Sequence, residues 1–322
     1  MWAQTILGPY TCGRIQTNDP QPADLDAGQV ILRVLASAIC GSDLPAFRNG
    51  ALNTIPATGE PLPGFPLHEV VGEVTSSRDD ALPVGARVVG WATGRNAAAE
   101  FVVADGAGLY QYDETLAPTE AIVLQPLACV LSALQEQPYS VTGLRTAVLG
   151  LGPIGLLYAH ALKSMGAASV TGVDRVDRSD CAAAFGVDEV VTASGATWAG
   201  GLNESTARPD LVVEAVGHQV STMNDAIEAV ADRGRVLYFG IPDDPVYPFP
   251  LQTFLRKNAT FTAGYTRDKR TALTDAAVYL KEHTDLAPTY VTHVIPMPEL
   301  QTAFELADKP AKGQRKIVLS VE

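Results

Sequence analysis

The sequence predicts an α/β fold of two domains, a partly open β-barrel and a doubly wound parallel sheet. Three observations carry that reading. At 322 residues, 47% of them hydrophobic, the chain is long enough for about two cores. Up to about residue 118, short apolar and β-branched runs alternate with Gly/Pro/Asn/Asp clusters, the rhythm of a barrel. From Arg145 onward, strands alternate with helical stretches, as in a parallel sheet with crossover helices.

In the first region the strand candidates are Val30–Ala36, Val70–Ser76, Ala86–Trp91 and Glu100–Ala104. Glu120–Gln135 reads as helix, and Pro126 inside it implies two segments. Arg145–Leu149, Ser169–Asp174, Asp210–Ala215 and Arg235–Gly240 read as strands, with Phe261–Gly264 as a further, sixth-strand segment of a sheet in which one strand is left unassigned. Helices fill the gaps, among them Ile154–Met165 and Thr222–Asp232, the latter ended by Gly234. The chain closes with a helix (Lys269–Glu282), a strand (Tyr290–Ile295), a helix (Pro298–Ala307) and a strand (Lys316–Ser320). These last segments are expected to rejoin the first domain. The expected domains are therefore 1–125 with 265–322, and 126–264.

The strongest motif is Val148-Leu-Gly-Leu-Gly-Pro-Ile-Gly155, a G-x-G-x-x-G set between a strand and a helix. Gly150 permits the tight turn, Gly152 lets the backbone approach a pyrophosphate, and Gly155 lets the helix pack against the sheet. A pyrophosphate rests on free N–H groups at such a helix start, here opened by Pro153, which has no N–H of its own, and Ile154, which has one. A second strand ends at Asp174, 19 residues after Gly155. That spacing suits a carboxylate that accepts hydrogen bonds from the adenosine ribose. Arg175 and Arg178 follow and offer a 2′-phosphate a partner, but Asp174 repels that phosphate. NAD is expected over NADP.

Charge and composition set exclusions. A net charge of −13 argues against a nucleic acid partner and against anionic membrane surfaces. Met1–Gly13 has neither a basic region nor an apolar run, so no signal peptide is expected. The longest apolar stretch, Thr146–Leu162, is interrupted by glycines, Pro153 and His160, which argues against a membrane span. Cys12, Cys40, Cys129 and Cys181 are widely spaced without a C-x-x-C, the usage of a reduced, cytoplasmic protein.

Two short segments of the first region could hold a metal: Cys40-Gly-Ser-Asp43 and Leu67-His-Glu-Val-Val-Gly-Glu-Val74. Thiolate and imidazole are good zinc ligands, and a carboxylate can join them. Cys40 follows a strand and His68 precedes one, so both belong at a barrel rim. Asp43 can accept from the non-ligating nitrogen of His68. From spacing alone, a buried core cysteine and a satisfied polar histidine are the commoner reading.

C-G-S-D, H-E-x-x-G-E-V, Gln125-Pro-Leu-Ala-Cys129, the central G-x-G-x-x-G, Arg256-Lys-Asn258 and the closing Lys316-Ile-Val-Leu319 together resemble the zinc-dependent medium-chain alcohol and polyol dehydrogenases. The resemblance spans essentially the whole chain. It implies a GroES-like catalytic barrel, a Rossmann domain, one catalytic zinc, and NAD as hydride carrier. It implies Cys40 and His68 as ligands, Glu69 as a ligand or switching neighbour, and Gln125 at the remaining position. Ser42 becomes the hydroxyl that bonds the substrate oxygen, and Asp43 orients His68. Gln125 in place of the more common Glu would leave the site one charge more positive, unless it is only a helix-terminal amide.

The chain departs from that pattern in three places. Gly94–Ala99 runs directly into Phe101, without the four cysteines of the family's structural-zinc lobe. Leu67 stands before His68 where Gly is usual, so its side chain is expected to press on the metal site. Leu44-Pro45 stands where a relay histidine is often found. His160 reads as a packing residue, His218 as a sheet-edge residue, and Cys129 falls one helical turn after Gln125. The implied function is hydride transfer between a secondary alcohol (polyol or sugar-like) and NAD, in a homodimer or homotetramer. A zinc-free enone or quinone reductase and a non-catalytic nucleotide binder are the alternatives.

Overall fold

The computed structural model describes residues 1–50, 62–203 and 207–321. Its contacts divide the chain into two units. One holds Met1–Ala128, Asp268–Pro310 and Gln314–Glu322; the other holds Cys129–Arg267 with Ala311–Gly313. The expected limits stood at 125/126 and 264/265.

The first unit opens with a hairpin, β1 (Trp2–Gly8) and β2 (Thr11–Gln16), that the sequence pattern does not announce. Its second strand is polar and carries Gly13, so it lacks the apolar alternation that marks a half-buried strand. β3 (Gln29–Ala38) and β4 (Glu69–Ser77) follow, and their core-facing Val30, Leu32, Val34, Val70 and Val74 are buried. β5 (Arg87–Trp91), β6 (Phe101–Asp105) and the three-residue β7 (Leu109–Gln111) complete this run. Register is what positions the site. Ala38 pairs with Glu69 in the antiparallel β3–β4 ladder. Cys40, just past the end of β3, and His68, just before β4, are therefore neighbours across that ladder.

The second unit is a six-stranded parallel sheet. Its strands are β8 (Arg145–Leu149), β9 (Ser169–Asp174), β10 (Glu189–Thr192), β11 (Leu211–Glu214), β12 (Arg235–Tyr238) and β13 (Thr260–Ala263). They lie in the order β10-β9-β8-β11-β12-β13, so the winding reverses between β8 and β11. β10, Glu189–Thr192 at the edge of the sheet, is a strand that the sequence reading did not name. A correction concerns the helix expected over Thr222–Asp232. It spans Val220–Ala229, and Arg233 rather than Gly234 takes the left-handed conformation, at φ 60°. Gly234 serves packing instead, since a Cβ there would meet Val230 Cγ2 at 2.5 Å.

The chain then returns to the first unit. β14 (Val291–Pro296) and β15 (Lys316–Ser320) extend its sheet in the order β14-β15-β3-β4-β5-β7, with β6 paired to β3. Val318 pairs with Ala38, which sets Lys316, two residues earlier in the antiparallel ladder, opposite the chain just beyond β3. Around Pro126 the chain forms two helical segments, Pro118–Ala121 and Leu124–Gln135. The proline falls in the first turn of the second, where no N–H is needed. Among the described residues, no helix is long and apolar enough to cross a membrane.

Candidate active site

A thiolate, an imidazole and a carboxylate converge in the first unit. Cys40 Sγ, a ring nitrogen of His68 and a carboxylate oxygen of Glu69 lie within 4.8 Å of one another. Asp43, in the 3-10 turn Gly41–Asp43, organises this group from complete burial. Its Oδ2 accepts the Cys40 N–H at 2.9 Å, and its Oδ1 lies 3.1 Å from His68 Nδ1. With Nδ1 donating to Asp43, His68 leaves Nε2 for Cys40 and, once deprotonated, for a cation.

The electrostatics suit a ligand set. Burial alone pushes the Cys40 thiol up, but the hydrogen bond and charge of His68, with Lys316 nearby, hold it below the ordinary thiol range. Burial alone pulls His68 down, yet Asp43 and Cys40 hold it well above the ordinary imidazole range. Glu69 is buried, and its Oε1 accepts Lys316 Nζ at 2.6 Å. Lys316 also donates to the Ile39 carbonyl at 3.0 Å. The other oxygen, Glu69 Oε2, is buried and has no hydrogen-bond partner among the described residues. An orphaned carboxylate oxygen beside a thiolate and an imidazole is a vacancy in bonding that a cation satisfies. The donor set of one sulfur, one nitrogen and one oxygen fits zinc.

Ser42 lies in the same turn, between Gly41 and Asp43. Its hydroxyl has no partner among the described residues, while its carbonyl accepts from Arg95 Nη2 at 3.3 Å. Gln125 is buried in the first turn of Leu124–Gln135 in the same unit. Leu67 is fully buried within the apolar core of this unit. Cys129 belongs to the second unit.

The glycine turn lies in the second unit, at the switch between β8 and β11. Gly150 has φ 85°, and a Cβ there would meet Val216 Cγ2 at 2.6 Å. A Cβ on Gly155 would stand 1.7 Å from the Gly150 carbonyl oxygen, so only glycine lets helix Pro153–Ser164 pack so close. Gly152 differs: a Cβ there meets nothing within 4 Å, so the backbone faces open space. Gly152 caps the helix without a side chain. The first-turn N–H groups, from Ile154 onward, are open to an anion, and Pro153 contributes none. This cradle fits a pyrophosphate.

Asp174 is tied down before any ligand arrives. Its Oδ2 accepts the Leu151 N–H at 2.7 Å and its Oδ1 the Val176 N–H at 2.8 Å. Each oxygen keeps a further acceptor site, so the carboxylate is pinned over the glycine turn and still able to bond hydroxyls. Arg175 is exposed. Arg178 is buried, and its Nη1 donates to the Ala311 carbonyl at 3.1 Å. His160 packs edge-on to Phe185, and His218, with φ 57°, holds Asp243 through Nδ1 at 2.6 Å.

Sequence reasoning missed Arg95 and Lys316 as parts of the site. Arg95 is 52 residues from Asp43 and Lys316 is 247 from Glu69, and only tertiary folding joins them.

Fold and site together define a two-domain oxidoreductase class, with a metal-ligand set on a barrel and a dinucleotide turn on a parallel sheet. Residues 26–124 match the family described as "Alcohol dehydrogenase GroES-like domain", and residues 153–278 match "Zinc-binding dehydrogenase". The chain is 27% identical over 331 residues to D-altritol 5-dehydrogenase of Agrobacterium fabrum, covering 91% of this chain and 92% of that one. It is 26% identical over 305 residues to (R,R)-butanediol dehydrogenase of Bacillus subtilis, covering 78% and 87%. The alcohol dehydrogenase TADH of Thermus sp. ATN1 superposes with a TM-score of 0.80 at 26% identity, covering 100% of both chains. The chain belongs to the zinc-type medium-chain alcohol and polyol dehydrogenase family.

Proposed function

We propose that this protein is a zinc-dependent dehydrogenase that moves a hydride between a secondary alcohol, polyol or sugar-like, and NAD. The observation that carries the reading is the Cys40–His68–Glu69 cluster with Asp43 behind His68 and one Glu69 oxygen left unpaired. The substrate class rests on the altritol and butanediol dehydrogenases to which the chain is similar.

Cys40, His68 and Glu69 would hold one zinc ion, with Gln125 at the remaining position. When bound, zinc supplies Lewis acidity at the substrate oxygen and the nicotinamide supplies the hydride acceptor. The protein's own groups do the rest. Asp43 fixes the tautomer of His68, so that Nε2 is the ligating nitrogen. Lys316 holds one Glu69 oxygen and leaves the other for the metal. The Ser42 hydroxyl, two residues from Cys40, accepts the proton of the substrate hydroxyl and passes it on by donating its own. Leu44-Pro45 offers no acceptor there, so the next carrier is a ribose hydroxyl or a water.

Gly150, Gly152, Pro153, Ile154 and Gly155 would cradle the pyrophosphate, and Asp174 would accept from the ribose hydroxyls. The fixed negative charge of Asp174 disfavours the 2′-phosphate of NADP. The exposed Val246, Leu251 and Leu255 near the open edge of β13 support a homo-oligomer, dimer or tetramer. Four free thiols support a reduced, cytoplasmic location.

The test is NAD-linked oxidation of a panel of polyols and secondary alcohols by the wild type and by Ser42→Ala. The wild type should oxidise at least one polar secondary alcohol, and Ser42→Ala should lower kcat by about a hundredfold, the scale of a general acid–base group. Ser42→Thr should stay active. Near-normal kcat in Ser42→Ala, with a deuterium isotope effect showing that hydride transfer limits the rate, rules out Ser42 as the proton acceptor.

A further inference from the structure

Arg95 contacts both chain segments that carry the Cys40–His68–Glu69 cluster. Its Nη2 donates to Asp43 Oδ1 at 3.2 Å and to the Ser42 carbonyl at 3.3 Å, on the segment that follows Cys40. Its Nε donates to the Pro66 carbonyl at 3.4 Å, on the segment that leads into His68. The guanidinium also lies 5.6 Å over the Phe65 ring. A planar guanidinium holds its donors in a fixed fork and so sets the relative orientation of the segments it bridges, whereas an ammonium bonds as a rotatable point charge.

The surrounding loop is built as a brace. Ala92 N–H donates to the His68 carbonyl at 2.8 Å, Ala97 N–H to Leu67 at 2.9 Å and Ala98 N–H to Gly64 at 3.0 Å. These bonds clamp residues 92–98 along residues 64–68. A Cβ on Gly64 would stand 2.0 Å from the Asn96 carbonyl, which shows how closely the two segments pack. At the head of this brace Arg95 has φ 52°, a left-handed conformation that non-glycine residues seldom adopt. Strain of that kind, held by its surroundings, points to a purpose for the side chain it presents.

We propose that Arg95 is a positioning residue for the metal centre: its guanidinium locks the Cys40–Asp43 turn to the His68 segment, so that Cys40 and His68 are aligned before a metal binds. The proposal rests on the zinc reading above. Asp43 Oδ1 serves both Arg95 and His68 Nδ1, so Arg95 fixes the orientation of the carboxylate that orients the imidazole.

The experiment measures zinc affinity of the full-length protein by competition with a chromophoric chelator, for wild type, Arg95→Asn, Arg95→Lys and Arg33→Ala. Asn tolerates the left-handed backbone, so Arg95→Asn removes the fork without adding strain. Lys keeps the charge and loses the fork. Arg33→Ala removes an exposed ion pair with Glu73 on the same sheet and serves as control. Arg95→Asn should weaken zinc binding about tenfold to a hundredfold, the usual effect of losing a group behind a metal ligand. Arg95→Lys should be nearly as weak, and Arg33→Ala should match the wild type. Cobalt-substituted Arg95→Asn should show a shifted thiolate charge-transfer band, while the melting temperature of the metal-free protein stays close to that of the wild type. Wild-type affinity in Arg95→Asn, or full rescue by Arg95→Lys, overturns the inference and leaves the zinc reading standing. So does a large drop in the metal-free melting temperature, which marks Arg95 as merely structural. A wild type that binds no zinc overturns both.

Discussion

On the proposed reading, the surroundings of Asp174 set the preference for NAD. Two backbone N–H groups, from Leu151 and Val176, hold its carboxylate in place. A pinned charge cannot swing away from a 2′-phosphate. Of the two arginines that could compensate, Arg178 is buried and donates to Ala311, which leaves the exposed Arg175. Asp174→Ser should therefore cut the ratio of kcat/KM for NAD over NADP by roughly tenfold to a hundredfold, the scale of one removed like-charge contact. An unchanged ratio would show that selectivity is set elsewhere. Single residues were legible to different depths. The glycines of the turn were legible because each has a steric reason that spacing alone conveys, such as the 1.7 Å contact forbidding a Cβ at Gly155. Asp43 could be paired with His68 on paper because it follows Cys40 by three positions. Arg95 carried no such signal, since its contacts depend on a loop with a non-glycine left-handed turn.

Between elements, the decisive fact is the register of three strands. Ala38 pairs with Glu69 across β3–β4 and with Val318 across β3–β15. One ladder brings Cys40 to His68, and the other brings Lys316 to Glu69. The Lys316–Glu69 pair is buried, at 1% exposure for each side chain. Breaking such a pair strands a charge in the core, so Lys316→Met should destabilise the first unit by about 3–5 kcal/mol. Urea unfolding followed by the fluorescence of Trp2 and Trp91 would report it. Glu69→Gln combined with Lys316→Met should recover much of the loss, because no lone charge then remains. A loss below about 1 kcal/mol in the single variant would mean that water reaches the pair, as at an exposed ion pair. Strong strands such as β3, β4, β8 and β9 were readable from apolar, β-branched runs. The β1–β2 hairpin, β7 and β10 were not. β1 lacks a two-residue alternation, β2 is polar, β7 has three residues and β10 only two apolar ones, so pairing with a neighbour, rather than their own composition, makes them strands.

At the scale of the whole molecule, the proposed reading gives each unit one part of the chemistry: a soft-ligand cluster in the first and an anion cradle in the second. The fold class was legible because it rests on rhythm, the change from barrel-like runs to alternating strands and helices. The metal set was legible as candidates but not as a cluster, because Cys40 and His68 are brought together by strand register. Substrate identity was not legible, since a pocket is shaped by long-range packing that periodicity does not encode. The central claim is one zinc per chain, held by Cys40, His68 and Glu69. Elemental analysis of zinc-loaded, desalted protein, run in parallel with NAD binding, tests it most directly. Wild type should retain about one zinc per chain, as expected for a single set of ligands. Cys40→Ala should retain essentially none and bind NAD with unchanged affinity. Wild-type protein without retained zinc, or Cys40→Ala that keeps its full share, would contradict the account.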